Sequence, residues 1–151
     1  MKWLSEREQR AWRGFQFMQM RLNARLARDL AENSSLAVQD YAVLVALTDR
    51  PDGRMRLFEM AHELGWEKSR LSHHITRMAK RGLVIREACA SDRRGAYVAV
   101  TKQGRKEIEA AAPSHAEAVR RLFVDQLTKT QLDTIANAAE AVLTAVDKEC
   151  S

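Results

Sequence analysis

The sequence has 151 residues, of which 46% are hydrophobic and 30% charged, with only six glycines and two prolines. These proportions favour one compact, mainly helical domain and argue against disorder, collagen-like repeats and a turn-rich all-β chain. The net charge of +5 lies in one segment, because residues 66–94 carry eight basic and three acidic side chains, which leaves 17 of each sign elsewhere. Such a local excess is typical of a surface that neutralises nucleic-acid phosphates; a solvated basic face is the alternative.

Two further features of composition predict a cytoplasmic protein. Residues 1–9 are charged and lack the apolar core of an export signal, and no apolar run approaches the roughly 18 residues of a membrane span. Cys89 and Cys150 are the only cysteines, and in a chain without an export signal we interpret them as reduced thiols rather than a disulfide.

A long first helix is predicted from Ser5 to about residue 33. Ser5 and Glu8 have the spacing of a capping box. An apolar residue then recurs every three or four positions, at Ala11, Phe15, Met18, Leu22, Leu26 and Leu30. This stripe is longer than a small core can cover, and Trp12 and Met20 lie off it, so we expect part of the helix to pack on a second chain.

Three shorter helices are predicted next, over about residues 38–49, 57–64 and 68–81. Residues 51–53 form a turn between the first two, and Gly65 is placed to cap the 57–64 helix in a left-handed conformation. The last two helices are joined so tightly that they predict a helix-turn-helix.

A β-hairpin with a basic tip is predicted after Gly82. The hydrophobic period changes to two over residues 83–86 and 96–100, around the turn-forming residues 91–95. Thr101 then caps a helix to about residue 124, which Pro113 should bend. Thr128 and Gln131 have capping-box spacing and open a final helix to about residue 148.

The helix over residues 68–81 has two distinct faces. Leu71, Ile75 and Met78 share one side, and rotation by about 100° per residue sends polar and basic residues to the other. Arginine bridges the acceptors of guanine, while hydroxyls and imidazoles bond to base edges or phosphates. The predicted DNA contacts on this helix are Lys68, Ser69, Arg70, Ser72, His73, Thr76, Arg77 and Lys80.

At the hairpin tip Asp92 stands beside Arg93 and Arg94. One arginine suits the narrow, electronegative minor groove, while the carboxylate orients the loop by pairing with the other. The residues do not decide which arginine has which role.

The order of these motifs resembles the MarR family of regulators. The resemblance is carried by the helix-turn-helix, by Arg81-Gly82-Leu83-Val84, by Asp92-Arg93-Arg94-Gly95 and by Val100-Thr101-Lys102-Gln103-Gly104. It covers nearly the whole chain and implies one domain over residues 1–151. In that domain the region of about 38–101 is a winged helix-turn-helix, and the helices at about 5–33 and 102–148 form a homodimer.

The resemblance also implies a partner and an effector. It implies double-stranded DNA with a pseudo-palindromic operator, bound by a repressor that a small aromatic or phenolic ligand releases. Family pockets lie between the dimerisation helices and the winged region, where Trp12, Arg13 and His115 are the candidate ligand-binding residues. Some relatives sense oxidants through a cysteine near the amino terminus; this chain has none there, and Cys89 lies at the base of the wing instead.

Other function classes have weaker support. The chain lacks a glycine-rich phosphate loop, a nucleophile elbow and a paired-carboxylate pattern, so we expect neither an enzyme nor a cofactor. Glu59 and His62 have helical spacing but no further candidate ligands, so we expect no metal site. A winged-helix module for interaction or architecture and a cysteine-based redox regulator remain the alternatives.

Overall fold

The computed structural model describes residues 3–87 and 96–150, and the chain divides into two compact units at His115–Ala116. The described elements, in chain order, are α1 (Glu6–Asn33), α2 (Val38–Thr48), β1 (Arg54–Arg56), α3 (Leu57–Leu64), α4 (Lys68–Lys80), β2 (Val84–Glu87), β3 (Tyr97–Val100), α5 (Lys102–Leu122), a short 3-10 turn (Val124–Gln126) and α6 (Lys129–Cys150). The predicted mainly helical fold with a small sheet is confirmed. None of the helices in the described residues is both long enough and apolar enough to span a membrane.

The predicted start of α1 is confirmed by its cap. The Ser5 hydroxyl accepts from the Glu8 amide at 3.2 Å, and the Glu8 carboxylate accepts from the Ser5 amide at 2.7 Å. The apolar stripe of α1 is buried only near its carboxyl end, where Leu30 is 3% exposed. Phe15 remains 51% exposed, as expected for a helix that extends beyond the core of its own chain.

The core of the first unit lies where α2, α3 and α4 meet the sheet. Leu44, Leu47, Met60 and Leu71 are fully buried there, because each stands at a core-facing position of its helix. Gly65 has φ 67°, and the Trp66 amide donates to the carbonyl of Ala61 at 3.0 Å. This left-handed cap turns the chain sharply, so that α4 begins after only three residues and the helix-turn-helix closes.

The sheet has three antiparallel strands in the order β1-β3-β2. The predicted hairpin is present as β2 and β3, with Val84 opposite Val100 and Glu87 opposite Tyr97. Each of these strands begins one residue later than predicted. The sequence analysis missed β1, which pairs with β3 through Met55 and Val98.

The helices that follow the sheet begin at the predicted caps. The Thr101 hydroxyl accepts from the Gly104 amide at 2.9 Å at the start of α5, and α5 contains Pro113. In the second unit, the Thr128 hydroxyl accepts from the Gln131 amide at 3.1 Å, and the Gln131 side chain accepts from the Thr128 amide at 2.9 Å. This capping box opens α6 as predicted.

Candidate nucleic-acid interface

The two predicted faces of α4 are present. Leu71, Ile75 and Met78 are completely buried on the core side. The opposite side exposes Lys68, Ser69, Arg70, His73, Thr76, Arg77 and Lys80, and Ser72 is half-buried at its margin. The helix therefore presents a continuous polar and basic face without an acidic side chain, which is the surface expected for contact with a polyanion.

Two of the arginines on this face are held by aromatic neighbours. The Arg70 guanidinium lies over the Trp66 ring, 5.3 Å from its centroid. An Arg77 nitrogen lies 3.3 Å from Nδ1 of His74. Together with Gln39 these four side chains line a cavity of about 280 Å³ beside α4. The arginines are thus placed by packed partners rather than left as free side chains.

Strand β2 contributes a residue that the predicted contact set did not include. The Arg86 guanidinium donates to the carbonyl of Ser72, and it lies 3.0 Å from the hydroxyls of both Ser72 and Thr76. The Thr76 hydroxyl in turn donates to the carbonyl of Ser72 at 3.0 Å. Arg86 is exposed, so it adds a positive charge at the edge of the α4 face while fixing two of its hydroxyls.

The charge count included Arg81, but the structure gives this residue an internal partner. Asp40, only 1% exposed, accepts from Arg81 at 2.7 Å, and Arg81 also donates to the carbonyl of Ser35 at 2.9 Å. Burial by itself would raise the pKa of Asp40, but the hydrogen bonds from Arg81 and from the Ala37 amide, with the neighbouring positive charges, lower it overall. Arg81 therefore fastens the end of α4 to α2.

The strands at the base of the predicted wing are joined by an arginine–tyrosine stack. The guanidiniums of Arg54 and Arg56 lie 4.3 and 4.7 Å from the centroid of the Tyr97 ring. Arg54 also forms an ion pair with Glu87 at 2.8 Å, which connects β1 to the last described residue before the tip. Asp92, Arg93 and Arg94 lie outside the described residues, as do Cys89 and the side chain of Cys150.

Comparison with known proteins decides the family. A sequence model described as the MarR family matches residues 34–95. The crystal structure of AbsC, a MarR family transcriptional regulator from Streptomyces coelicolor, is 36% identical with a TM-score of 0.90, and the match covers 98% of this chain and 99% of that one. The chain belongs to the MarR family.

Two further MarR family matches bear on the interface. Sco3205 from Streptomyces coelicolor, crystallised in complex with DNA, is 33% identical with a TM-score of 0.89, over 95% of this chain and 94% of that one. The transcriptional regulator HosA of Escherichia coli O127:H6 is 38% identical over 88 residues, 58% of this chain. That match spans 63% of the length of HosA.

The three residues predicted for a family ligand pocket have different surroundings. Trp12 stacks on Phe15 with 6.2 Å between ring centroids and stays 51% exposed, and the neighbouring Arg13 is exposed. His115 is half-buried, with its ring 4.5 Å from that of Tyr41. Burial lowers the pKa of His115 and raises that of Tyr41. A ligand role for these residues stays a prediction.

The residues weighed as metal ligands are engaged otherwise. Glu59 forms an ion pair with Arg50 at 3.6 Å. Across residues 3–87 and 96–150, the structure contains no cluster of three or more histidine, cysteine, aspartate or glutamate side chains that could hold a metal ion.

Proposed function

We propose that this MarR family chain is a sequence-specific DNA-binding regulator that reads the major groove with α4. The observation that carries the proposal is the exposed face of α4, with four cations and no carboxylate, opposite a fully buried apolar face. The likeness to Sco3205, whose structure contains DNA, supports it. We propose that either Arg93 or Arg94 enters the flanking minor groove, while Asp92 orients the wing by pairing with the other.

The exposed residues of α4 divide into two chemical roles. Lys68 and Lys80 stand at the two ends of the helix, where ammonium groups suit phosphates. Arg70, His73 and Arg77 stand between them and suit base edges, since a guanidinium bonds to guanine in a bidentate manner. Loss of a lysine should weaken binding to all sequences equally, whereas loss of Arg70 or Arg77 should reduce the preference for the operator.

The test is a binding titration by fluorescence anisotropy at several salt concentrations, with a duplex selected by the protein from a randomised pool. We expect a steep inverse dependence on salt, reduced by about one in the log–log slope for each phosphate contact removed. Lys129→Ala, an exposed lysine at the start of α6, is the charge-matched control and should leave affinity unchanged. Failure to select any sequence, with a flat salt dependence, would refute the regulator and favour an interaction module.

We further propose that the chain acts as a homodimer through α1, α5 and α6. Large apolar side chains on α1 and α6 are half or more exposed in the single chain, among them Phe17 at 54%, Met20 at 62%, Val142 at 61% and Val146 at 50%. Exposed apolar area of this kind favours association. Sedimentation equilibrium should show a dimer that Val142→Asp and Val146→Asp weaken. A monomer at all concentrations would refute this part of the proposal.

Repression released by a small aromatic or phenolic ligand completes the proposed function. Such a ligand must bind more tightly to a dimer whose two α4 helices no longer match half-sites about one helical turn apart. The half-buried pair of Tyr41 and His115 supports an aromatic contact. A panel of hydroxybenzoates, added to the preformed complex, should displace DNA from the wild type at lower concentration than from His115→Ala. If the ligands displace DNA from the wild type and from His115→Ala at the same concentration, His115 is not part of the ligand site.

A further inference from the structure

A buried carboxylate lies directly behind the exposed face of α4. Asp40 stands in the first turn of α2, where its carboxylate accepts from the Ala37 amide at 2.9 Å. One oxygen binds Arg81, and the other lies 2.9 Å from Nε2 of His74. A buried carboxylate is costly unless charged or polar groups surround it, and the hydrogen bonds from Arg81 and the Ala37 amide, with the charge of Arg81, keep Asp40 ionised.

The contacts of His74 define where its proton resides. Arg77 has only donors, so the contact of 3.3 Å between its guanidinium and Nδ1 requires that Nδ1 accept. The ring proton is then on Nε2, which lies 2.9 Å from the second oxygen of Asp40 in a close contact that lacks the angles of a hydrogen bond. The edge of the same ring meets Trp66 at 5.7 Å between centroids, and Trp66 carries Arg70 on its face. One neutral imidazole thus contacts the Asp40 carboxylate, the Arg77 guanidinium and the Trp66 ring. Arg70 lies over that Trp66 ring.

We propose that His74 is a positioning residue for DNA recognition, which in its neutral form holds the Arg77 guanidinium in a fixed place relative to Asp40. The inference rests on the proposed function, and it assigns to His74, behind the exposed face of α4, the placement of Arg77 on that face. The side chain of His74 is only 13% exposed, whereas its neighbour His73 is exposed.

Protonation of His74 should break this arrangement. A doubly protonated ring has no acceptor for Arg77, and it repels that guanidinium. The charged groups around the ring are Asp40 from α2, Arg77 on α4, Arg81 at its end and Arg70 beyond Trp66. Burial lowers the pKa of His74, and Arg77 and Arg81 lower it further against the opposing effect of Asp40, so the ring is neutral near pH 7.

The measurement is the ratio of affinities for the selected operator and for a scrambled duplex, at pH 7.5 and at an acidic pH where NMR of the ring shows that His74 is protonated and the protein is folded. The ratio is chosen because an added positive charge tightens binding to any DNA and cancels between the two duplexes. For the wild type the ratio should fall about two- to tenfold on acidification, the effect of one hydrogen bond. Substitution H73Q removes the other imidazole of α4 and should preserve this fall.

Two substitutions separate the two ends of the ring. H74Q keeps a donor near the position of Nε2 but has no acceptor at the position of Nδ1, where Arg77 binds, so it should have a low ratio at both pH values and nearly wild-type thermal stability. H74N keeps an acceptor near Nδ1 but cannot reach Asp40, so its thermal stability should fall. The double substitution H74Q/R77A should lower the ratio no further than R77A alone.

The outcomes distinguish this inference from the proposed function. A wild type with no preference for the selected duplex refutes the proposed function itself. Two results would overturn the role of His74 and leave the proposed function intact. One is a wild-type affinity ratio that is the same at both pH values. The other is an H74Q/R77A ratio reduced by the product of the two single reductions. If H74Q does not fold, R77A decides, because its ratio should no longer depend on pH in this range.

Discussion

The substitution Gly104→Ala tests how closely α5 approaches the sheet. Gly104 lies in the first turn of α5 and is buried. A Cβ built there would meet the carbonyl oxygen of Leu83 more closely than real Cβ atoms approach any atom, and would lie 2.9 Å from a methyl group of Val100. The obstacle at Leu83 is backbone, so it cannot rotate away, and the start of α5 must move.

The structure sets the size of the effect. The Leu83 oxygen accepts from the Thr101 amide at 3.2 Å, the Thr101 hydroxyl donates to the Gly82 carbonyl at 2.6 Å, and displacement of α5 weakens both bonds. Each is worth about 1 kcal/mol, and overpacking adds about 1 kcal/mol or more. The better helix propensity of alanine offsets roughly 1 kcal/mol. The net loss should be about 2 kcal/mol, opposite in sign to propensity alone.

Urea unfolding at fixed protein concentration measures this loss, and Gly14→Ala is the matched control. Gly14 is also within a helix, but a Cβ there would meet nothing within 4 Å of this chain. We expect the midpoint of Gly104→Ala to fall by about 1 M urea, for a slope near 2 kcal/mol per molar, and that of Gly14→Ala to stay or rise. If a second subunit covers Gly14, its effect will vary with concentration. A Gly104→Ala protein as stable as the wild type would refute the close approach.

Three other predictions concern Asp40, Arg94 and α6. Asp40→Asn should lower the free energy of unfolding at pH 7 by about 1–3 kcal/mol, because the charge that binds Arg81 is lost while Arg81 can rehydrate. Folding lowers the pKa of Asp40, so its contribution to stability is fully present above the pKa of the unfolded state, about 3.9. The contribution is lost as the pH falls through the lower pKa of the folded state. The urea midpoints of the variant and the wild type should therefore converge in acid. Arg94→Ala should weaken operator binding in anisotropy titrations and leave the sedimentation of the dimer unchanged, and unchanged affinity would exclude the minor-groove role. Truncation before Thr128 removes α6 and should shift sedimentation towards the monomer.

Helix limits could be predicted from the sequence because the interactions that set them are local. The Ser5–Glu8 and Thr128–Gln131 capping boxes each join residues three apart, so their spacing is visible without the fold. Gly65 was predicted for the same reason, since a left-handed cap depends on one residue. All three elements begin or end within a residue of the expected position.

Strand β1 could not be predicted, because its stability comes from distant partners. It has three residues with a single apolar side chain, Met55, too few to show a period of two. It forms because Met55 is buried opposite Val98, and because Arg54 and Arg56 stack on Tyr97. None of these pairs is close in sequence. The two arginines of β1 predict an exposed, basic segment, but they do not predict a strand.

The polar contacts behind the interface were missed for a related reason. In the sequence Asp40 is an acidic residue in the first turn of a helix, where it is expected as a cap, and it does accept from the Ala37 amide. Nothing local shows that its other contacts are Arg81 and His74, more than 30 positions away. Rotation by about 100° per residue predicts which side of α4 is exposed, but it gives no information about contacts between α4 and another helix.

The contacts made by β2 alter what that outward face offers to DNA. A hydroxyl has one donor and two acceptor positions. Thr76 uses its donor on the Ser72 carbonyl and one acceptor on Arg86, so only one acceptor position remains for a base. Arg86 is exposed, so a phosphate, a base acceptor or water can replace its contacts with Ser72 and Thr76 and release both hydroxyls. In the proposed DNA complex, the bases read near Thr76 therefore depend on whether Arg86 turns towards DNA, and a strand residue would set part of the specificity of α4.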